Sequence, residues 1–306
     1  MIESTPVRYR VAHVTEYDYS SPASLCHNMM RLSPRRLNYQ SVEHSHVEID
    51  PKPVVRRTRL DRFGNLCEFF SIESQHNAMV IRATSHVIRD RVNLSGADAI
   101  SYRELRQRLR EPKREDDRSA QEFCFDSKYV RTRREFSDYA MECFHPDRSV
   151  HDSLLEMTAR IYNEFDYVPN STLVSTTPIE VLRLRKGVCQ DFAHLQIACL
   201  RSIGLAARYV SGYLLTRPAP GQPKLIGADA SHAWVSVYLG DYGWLDYDPT
   251  NNLIPDCEHI TLAWGCDYED VAPVTGVVVG GGLTTLKVSV DVSPEPVTTS
   301  ESFTPE

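Results

Sequence analysis

Three residues in the second half of the chain have the types and spacing of a nucleophile, a base and an orienting carboxylate. Cys189 follows a glycine two positions earlier, His232 comes 43 residues later, and Asp248 comes 16 residues after that. A thiol becomes a strong nucleophile when an adjacent base takes its proton, and an imidazole acts as that base when a carboxylate fixes its orientation. The pattern therefore indicates that Cys189 attacks a carbonyl group.

Cys189 is predicted to begin a buried helix, because the residues from Phe192 to Leu200 are apolar on most sides. The positive end of a helix dipole favours the thiolate, which is the reactive form of cysteine. The unpaired N–H groups at the same end can bind a developing oxyanion. Gln190 could also shape that oxyanion site, but a polar residue in a first helical turn is ordinary. We expect the backbone N–H of Cys189 to be the more important donor to the oxyanion.

His232 and Asp248 are predicted to lie on the two strands of a hairpin. Residues 230–239 are rich in β-branched and aromatic side chains, and residues 240–243 contain two glycines and are typical of a turn. Since the two residues lie at equal distances from Gly240, the hairpin brings their side chains to a similar height. Asp246 shares the strand face of Asp248, so the spacing alone does not choose between these carboxylates.

These segments resemble the core of the bacterial transglutaminase-like superfamily, over about residues 150–290. The resemblance rests on five segments in the family's order: Gly187-Val188-Cys189-Gln190-Asp191-Phe192-Ala193-His194, Ala207-Arg208-Tyr209-Val210-Ser211-Gly212-Tyr213, His232-Ala233-Trp234-Val235, Gly243-Trp244 and Asp248-Pro249-Thr250-Asn251-Asn252. The family has a papain-like Cys-His-Asp triad. The resemblance assigns it to Cys189, His232 and Asp248, and so selects Asp248 over Asp246.

Two further segments resemble the family. Tyr9-Arg10-Val11-Ala12-His13-Val14-Thr15-Glu16-Tyr17 and Leu32-Ser33-Pro34-Arg35 are similar to the β-rich domain that precedes the core in bacterial members. Near the end, Ala263-Trp264-Gly265-Cys266-Asp267-Tyr268 is similar to a family segment in which arginine is expected at the position of Cys266. No role is assigned to Cys266, and the triad does not depend on it.

Other chemistry-bearing residues are expected to be structural. His194 is expected to pack or cap in the core rather than to act as a second catalytic histidine. Tyr209, Tyr213 and Trp234 are expected to line the core or the cleft. No pair among the eight cysteines has C-x2-C or C-x4-C spacing, and the chain has neither a phosphate-binding loop nor a dinucleotide fingerprint. We therefore predict no metal and no cofactor.

Composition restricts the partners and the compartment. The chain has 306 residues, 42% of them hydrophobic, and a formal net charge of -7, which suits two modest globular domains and argues against nucleic acid as a partner. The N-terminus has no basic start or apolar run, and no later stretch is long enough to span a bilayer. Scattered cysteines suit a reducing compartment. The prediction is a cytoplasmic protein without membrane contact.

The predicted fold class is α+β, with a transglutaminase-like, papain-like cysteine-triad core behind an N-terminal β-sandwich-like domain. The predicted boundaries are residues 1–95 for the β-rich domain, 96–150 for a charged helical connection, 151–292 for the catalytic core and 293–306 for a disordered tail. The glycine run at 280–282 is predicted to form a hairpin turn rather than a phosphate site.

The resemblance implies a thiol hydrolase that acts on peptide or isopeptide bonds, with a peptide or protein as its substrate. Cys189 would form an acyl-thioester, His232 would act as acid and base, and Asp248 would orient His232. A true transglutaminase (protein-glutamine gamma-glutamyltransferase) would share the acylation step, and a non-catalytic scaffold would not need an intact triad. Hydrolysis is favoured because water at ~55 M is the default acceptor unless a channel excludes it. The oligomeric state is left open.

Overall fold

The structure is a computed structural model that describes residues 6–216 and 231–296. The described part of the chain combines three sheets with seven α-helices, which confirms the predicted α+β class. In the N-terminal half the elements are β1 Val7–Met30, β2 Gln40–Asp50, β3 Val55–Leu60, β4 Leu66–Ile72, β5 His76–Arg89, α1 Tyr102–Arg110, α2 Glu115–Gln121, α3 Arg134–Met141 and α4 Val150–Glu164.

The second half contains the elements that hold the predicted triad. They are β6 Asp166–Tyr167, α5 Pro178–Leu184, β7 Lys186–Gly187, α6 Cys189–Ser202, β8 Ala207–Leu214, β9 Ser231–Tyr238, β10 Trp244–Tyr247, β11 His259–Gly265, α7 Tyr268–Val271, β12 Val274–Gly280 and β13 Thr284–Glu295. In the described residues no helix is long and apolar enough to cross a membrane.

The N-terminal region is built around β1, whose two halves pair with different neighbours. Its first half pairs with β5 and β13, and its second half pairs with β4 and β12. The register against β5 shifts between Asp18 and Ala23, so the strand changes partners there. Apolar side chains from β2 and β5 meet those from β4 in one buried cluster that includes Val47, Phe70 and Ile81. This packing of two sheet halves is sandwich-like.

The last two strands belong to this N-terminal sheet, although the predicted core extended to residue 292. Both β12 and β13 pair with β1 in antiparallel register. The glycines at 280–282, all at positive φ, connect these strands, which lie along different halves of β1. Alternating valines predict strands, but their partners depend on tertiary packing. Residues 293–295, predicted to begin a disordered tail, end β13, and residues 297–306 lie outside the described part.

Residues 96–150, predicted as a charged helical connection, contain α1, α2 and α3, and these helices are packed rather than solvated. Leu105, Leu109, Phe136 and Phe144 are buried in the same cluster as the side chains of α6. Helix α1 is charged on one face only, and its apolar residues lie on the other. The many charged residues of the segment lie on the faces that point to solvent. The periodic leucines and aromatic residues lie on the faces that pack against the core.

The region that holds the predicted triad is a four-stranded antiparallel sheet in the order β10-β9-β8-β11, with α6 packed against it. Almost every residue of α6 is buried, as the apolar sequence predicts. The N-terminal sheet contacts this core through polar pairs as well: Gln40 bonds both backbone groups of Thr261, at 2.8 and 2.9 Å. The two regions therefore share a continuous interior.

Candidate active site

Cys189 is the first residue of α6, where the sequence places it. Val188 is extended, and its N–H donates to the Asp191 carboxylate at 2.8 Å. Thr172 donates to the same Asp191 oxygen at 2.6 Å. The carboxylate of the third helical residue thus fixes the approach to the helix, and Cys189 lies at the end where backbone N–H groups point outward.

Gly187 is required by this capping arrangement. A Cβ at Gly187 would lie 2.8 Å from both Cβ and Oδ2 of Asp191, which is closer than real Cβ contacts. Absence of a side chain lets the Asp191 carboxylate fold back over the turn. The glycine before the thiol is therefore explained by a close approach, and its φ is not in the left-handed region.

The predicted hairpin places His232 and Asp248 together. Strands β9 and β10 pair in register with Tyr247 opposite Val235, and a short 3-10 helix at Gly240–Tyr242 forms the turn. His232 Nε2 and Asp248 Oδ2 are 2.7 Å apart, and both residues are buried. Cys189 also acts on this imidazole and helps to raise its pKa. Since Nε2 faces Asp248, Nδ1 is the ring nitrogen left for the thiol.

Asp248 is fully buried and receives an unusual number of hydrogen bonds. Oδ1 accepts the backbone N–H groups of Thr250 and Asn251 at 2.9 and 3.2 Å. Oδ2 accepts from His232 at 2.7 Å, from the Asn251 amide at 2.7 Å and from His259 at 3.1 Å. A buried carboxylate needs such donors to stay ionised, and here they also fix its orientation.

The two charges of the pair stabilise each other. Burial alone would lower the pKa of His232, but the charge and hydrogen bond of Asp248, with a smaller contribution from Cys189, raise it to about 10. Burial would raise the pKa of Asp248, but the charge and hydrogen bond of His232 and the bond from His259 hold it well below its ordinary value. At neutral pH the site therefore holds an imidazolium on an ionised carboxylate.

The structure separates Asp246 from the imidazole. Its Oδ2 accepts the indole N–H of Trp234 at 2.9 Å, and the carboxylate on the His232 ring is that of Asp248. Gln190 donates its side-chain amide to the carbonyl of Val174 at 3.3 Å. This places Gln190 at the first turn of α6, where it is bonded to the loop before α5.

The remaining polar residues of the predicted motifs lie in the core. His194 accepts the backbone N–H of Tyr268 at 3.2 Å, and burial lowers its pKa to about 4. Its ring lies 4.9 Å from that of Tyr209. Tyr213 bonds His13 of β1 at 2.9 Å. These residues pack as the sequence predicts, and none of these contacts involves the Cys189–His232–Asp248 group.

Cys189 differs from the other thiols in its surroundings. It is partly exposed, whereas five of the others are buried. Burial raises the pKa of Cys26, Cys67, Cys124, Cys143, Cys199, Cys257 and Cys266. Cys266, where the family resemblance leads one to expect arginine, lies 3.7 Å from a guanidinium nitrogen of Arg62.

Asn251 and His259 are site residues that the sequence did not reveal. Asn251 lies inside a motif that resembles the family, three residues after Asp248, and that position was the available signal. His259 begins β11 and has no motif around it. Only the pairing of β11 with β8 brings its ring to the carboxylate, so sequence spacing could not have identified it.

A metal site needs several His, Cys, Asp or Glu side chains close together. Among the described residues, one group of three or more such side chains has its polar atoms within 4.8 Å of one another: His232, Asp248 and His259. The two imidazole nitrogens lie 2.7 and 3.1 Å from one carboxylate oxygen. These are hydrogen-bond distances with both rings donating to one acceptor, and the hydrogen bonds account for the cluster. The absence of a metal and of a cofactor stays a prediction.

Comparison with known proteins identifies the region that contains this site. Residues 138–249 match the model of the transglutaminase-like superfamily, and residues 9–88 match the bacterial transglutaminase-like N-terminal region. The first match includes Cys189, His232 and Asp248. The second covers most of β1–β5.

Relatives and a solved structure extend the similarity over the whole chain. An uncharacterised protein of Mycobacterium tuberculosis is 38% identical over 296 residues, which cover 94% of this chain and 93% of that protein. A protein-glutamine gamma-glutamyltransferase of Pseudomonas aeruginosa is 36% identical over 73 residues, 24% of this chain and 11% of the relative. A crystal structure from Cytophaga hutchinsonii, provisionally described as a cysteine protease, covers 97% of this chain and 93% of its own with a TM-score of 0.75 at 20% identity.

Proposed function

The chain belongs to the transglutaminase-like superfamily, and from that premise we propose that it is a thiol hydrolase of peptide or isopeptide bonds. The observation that carries the proposal is one buried imidazole that is hydrogen-bonded to Asp248 and whose pKa Cys189 also helps to raise. In such a group the thiol attacks the substrate and becomes acylated, the imidazole accepts and donates the proton, and the carboxylate fixes the tautomer of the imidazole.

In the proposed acylation step, Cys189 is the thiolate partner of the His232 imidazolium, which holds the thiol proton, and its sulfur attacks the carbonyl carbon of the substrate amide. A carbon–sulfur bond forms and the carbonyl oxygen takes the negative charge, which the N–H groups at the start of α6 are oriented to stabilise. The imidazolium of His232 then gives its proton to the leaving nitrogen, and the carbon–nitrogen bond breaks. Asp248 remains ionised and keeps the imidazole oriented.

In the proposed deacylation step, neutral His232 takes a proton from water while the water oxygen attacks the thioester. The carbon–sulfur bond breaks, the acid leaves and the His232–Asp248 pair is restored. If a primary amine reaches the thioester before water, the same chemistry gives an amide and the protein is a transglutaminase. The similarity to a protein-glutamine gamma-glutamyltransferase over 73 residues favours that second candidate.

Incubation with glutamine-containing peptides of defined sequence and a millimolar primary amine, read by mass spectrometry, tests the proposal. We expect cleaved or deamidated peptide to dominate. A dominant amine adduct would replace hydrolase by transglutaminase, and no product from any peptide would favour a non-catalytic scaffold.

Two cysteine variants provide the matched controls. Cys189→Ser should abolish every product, because an alcohol at the same position is a far weaker nucleophile. Cys257→Ser should retain full activity, because Cys257 is similarly accessible but contacts Asp256 and not the imidazole. Loss of activity in Cys257→Ser alone would move the nucleophile away from Cys189.

A further inference from the structure

His259 contacts the proposed catalytic carboxylate from a strand that contributes nothing else to the triad. Its Nε2 lies 3.1 Å from Asp248 Oδ2, the same oxygen that His232 Nε2 contacts at 2.7 Å. His259 as a residue is 2% exposed, and its ring stands edge-on to Trp234, with ring centres 5.2 Å apart. The packing fixes the ring, and the hydrogen bond directs it to Asp248.

We propose that His259 is a positioning residue that shares the Asp248 carboxylate with His232 and so limits how tightly Asp248 holds the proton of His232. This inference rests on the proposed function, because it concerns the proton that His232 gives to the leaving group. His259 does not touch the reacting atoms, and it acts through Asp248.

The protonation of His259 follows from its surroundings. Burial lowers its pKa, and the charges of His232 and Arg89 lower it further, against the opposing influence of Asp248. At neutral pH His259 is therefore a neutral imidazole. A neutral ring whose Nε2 faces a carboxylate oxygen must carry its proton on Nε2. Asp248 Oδ2 thus receives one proton from a charged ring and one from a neutral ring.

Because His259 and His232 donate to the same oxygen, His259 should weaken the hold of Asp248 on the His232 proton. Each N–H that donates to Oδ2 reduces the negative charge available to the other donors. A proton held too tightly on His232 would be released slowly to the leaving nitrogen, since a general acid works best when its pKa is near the operating pH. By donating to the same oxygen, His259 makes the His232 imidazolium a better acid.

Besides His232 and His259, no titratable side chain among the described residues hydrogen-bonds Asp248 Oδ2. The groups that face His232 are Cys189 from α6, Asp248 after β10 and His259 from β11, and Arg89 of β5 acts on His259. The Asn251 amide also donates to Oδ2 at 2.7 Å, so Asp248 keeps its orientation when His259 is replaced. Replacement should therefore change the strength of the pull on His232 rather than release the carboxylate.

The test compares His259→Leu, which removes the donor, with His259→Gln, whose amide nitrogen can still reach Asp248. Nitrogen NMR of histidine-labelled protein gives the titration midpoint of His232 without any substrate. We expect the midpoint to rise by about one pH unit in His259→Leu and to stay near the wild-type value in His259→Gln. If His259→Leu does not fold, His259→Asn, whose shorter amide falls short of Oδ2, takes its place.

An unchanged or lower midpoint in the variant that lacks the donor would overturn the proposal. So would an equal shift in His259→Gln, because ring packing against Trp234 would then be the cause. With an active substrate, we expect kcat of His259→Leu to fall about tenfold at unchanged KM. If the wild-type protein hydrolyses no amide, the proposed function fails, while the NMR comparison still decides whether His259 shares Asp248.

Discussion

At the scale of single residues, the Asp248 carboxylate organises the candidate site. It is fully buried, it holds His232 through one oxygen, and it is itself held by backbone and side-chain donors from a turn and from β11. Asp246 lies two residues earlier, within β10, and accepts a hydrogen bond from Trp234 instead. The two carboxylates therefore provide a matched pair for mutation.

Asp248→Asn should reduce the rate of the proposed reaction by ~100- to 10 000-fold, because a neutral amide neither stabilises the imidazolium nor fixes its tautomer. Asp246→Asn keeps an oxygen acceptor for the Trp234 indole, and the rate should change less than ~10-fold. Rates of peptide cleavage by the two variants under identical conditions provide the comparison. Equal losses in both variants would show that Asp248 has no special role.

The His232–Asp248 pair also predicts a pH dependence of stability. The pKa of His232 rises from its ordinary 6.5 to about 10 in the folded protein. Because the folded state binds this proton more tightly, its contribution to the free energy of unfolding is complete below pH 6.5 and is lost as the pH rises to about 10. Asp248→Asn removes the cause of the shift.

Denaturant unfolding of the wild-type protein and of Asp248→Asn across this pH range gives the measurement. The difference in unfolding free energy between the two proteins should shrink as the pH rises, since other titrating groups are common to both. A difference that stays constant, or grows with pH, would contradict a charged His232 at neutral pH.

At the scale of elements, the start of α6 and the β9–β10 hairpin position the triad. The sequence predicts both, because glycines, an apolar helix and alternating strands are local signals. The contacts that join them are not local. His259 approaches Asp248 only through β11, and the role of Gly187 depends on the way Asp191 folds back. Residue spacing could not reveal either of these contacts.

Gly187→Ala should distort the approach to Cys189, because the added Cβ would overlap Asp191. We expect a loss of ~1–3 kcal/mol in unfolding free energy and a larger proportional loss of Cys189 reactivity. In an Asp191→Gly background, which removes both the Cβ and the carboxylate that would overlap, the same glycine substitution should cost less than ~0.5 kcal/mol. Additive costs in this double-mutant cycle would show that Gly187 is required for another reason.

At the scale of the whole molecule, the N-terminal sheet and the region that holds the triad are more closely connected than the sequence suggests. The final strands return to β1, and side chains of β1 and β13 pack in the same buried cluster as α6. The sequence predicts an N-terminal β-rich part and a triad core, and both are present. It could not predict that β12 and β13 complete the N-terminal sheet, since β strands carry little information about their partners.

This shared interior predicts cooperative unfolding. All three tryptophans of the chain, at positions 234, 244 and 264, lie on the four-stranded sheet β10-β9-β8-β11. Their fluorescence reports on that sheet and, through the contact of Arg35 with Trp264, on its boundary with the N-terminal region. Phe70→Ala, a fully buried change in β4, should lower the tryptophan-monitored unfolding free energy by ~3–5 kcal/mol. Leu60→Ala, on an exposed side chain of β3, should change it by less than ~0.5 kcal/mol. If Phe70→Ala leaves the unfolding free energy measured by tryptophan fluorescence unchanged, the two regions unfold independently.

The rate of iodoacetamide labelling at each of the eight cysteines, followed by peptide mapping, tests the central claim most directly. Cys189 is partly exposed and acts on the His232 imidazole, and five of the other seven thiols are buried. At neutral pH we predict that Cys189 is labelled at least ~10-fold faster than any other cysteine, and that His232→Ala removes this advantage. Faster labelling of Cys124, Cys257 or Cys266, or an unchanged rate at Cys189 in His232→Ala, would contradict the assignment of Cys189 as the nucleophile.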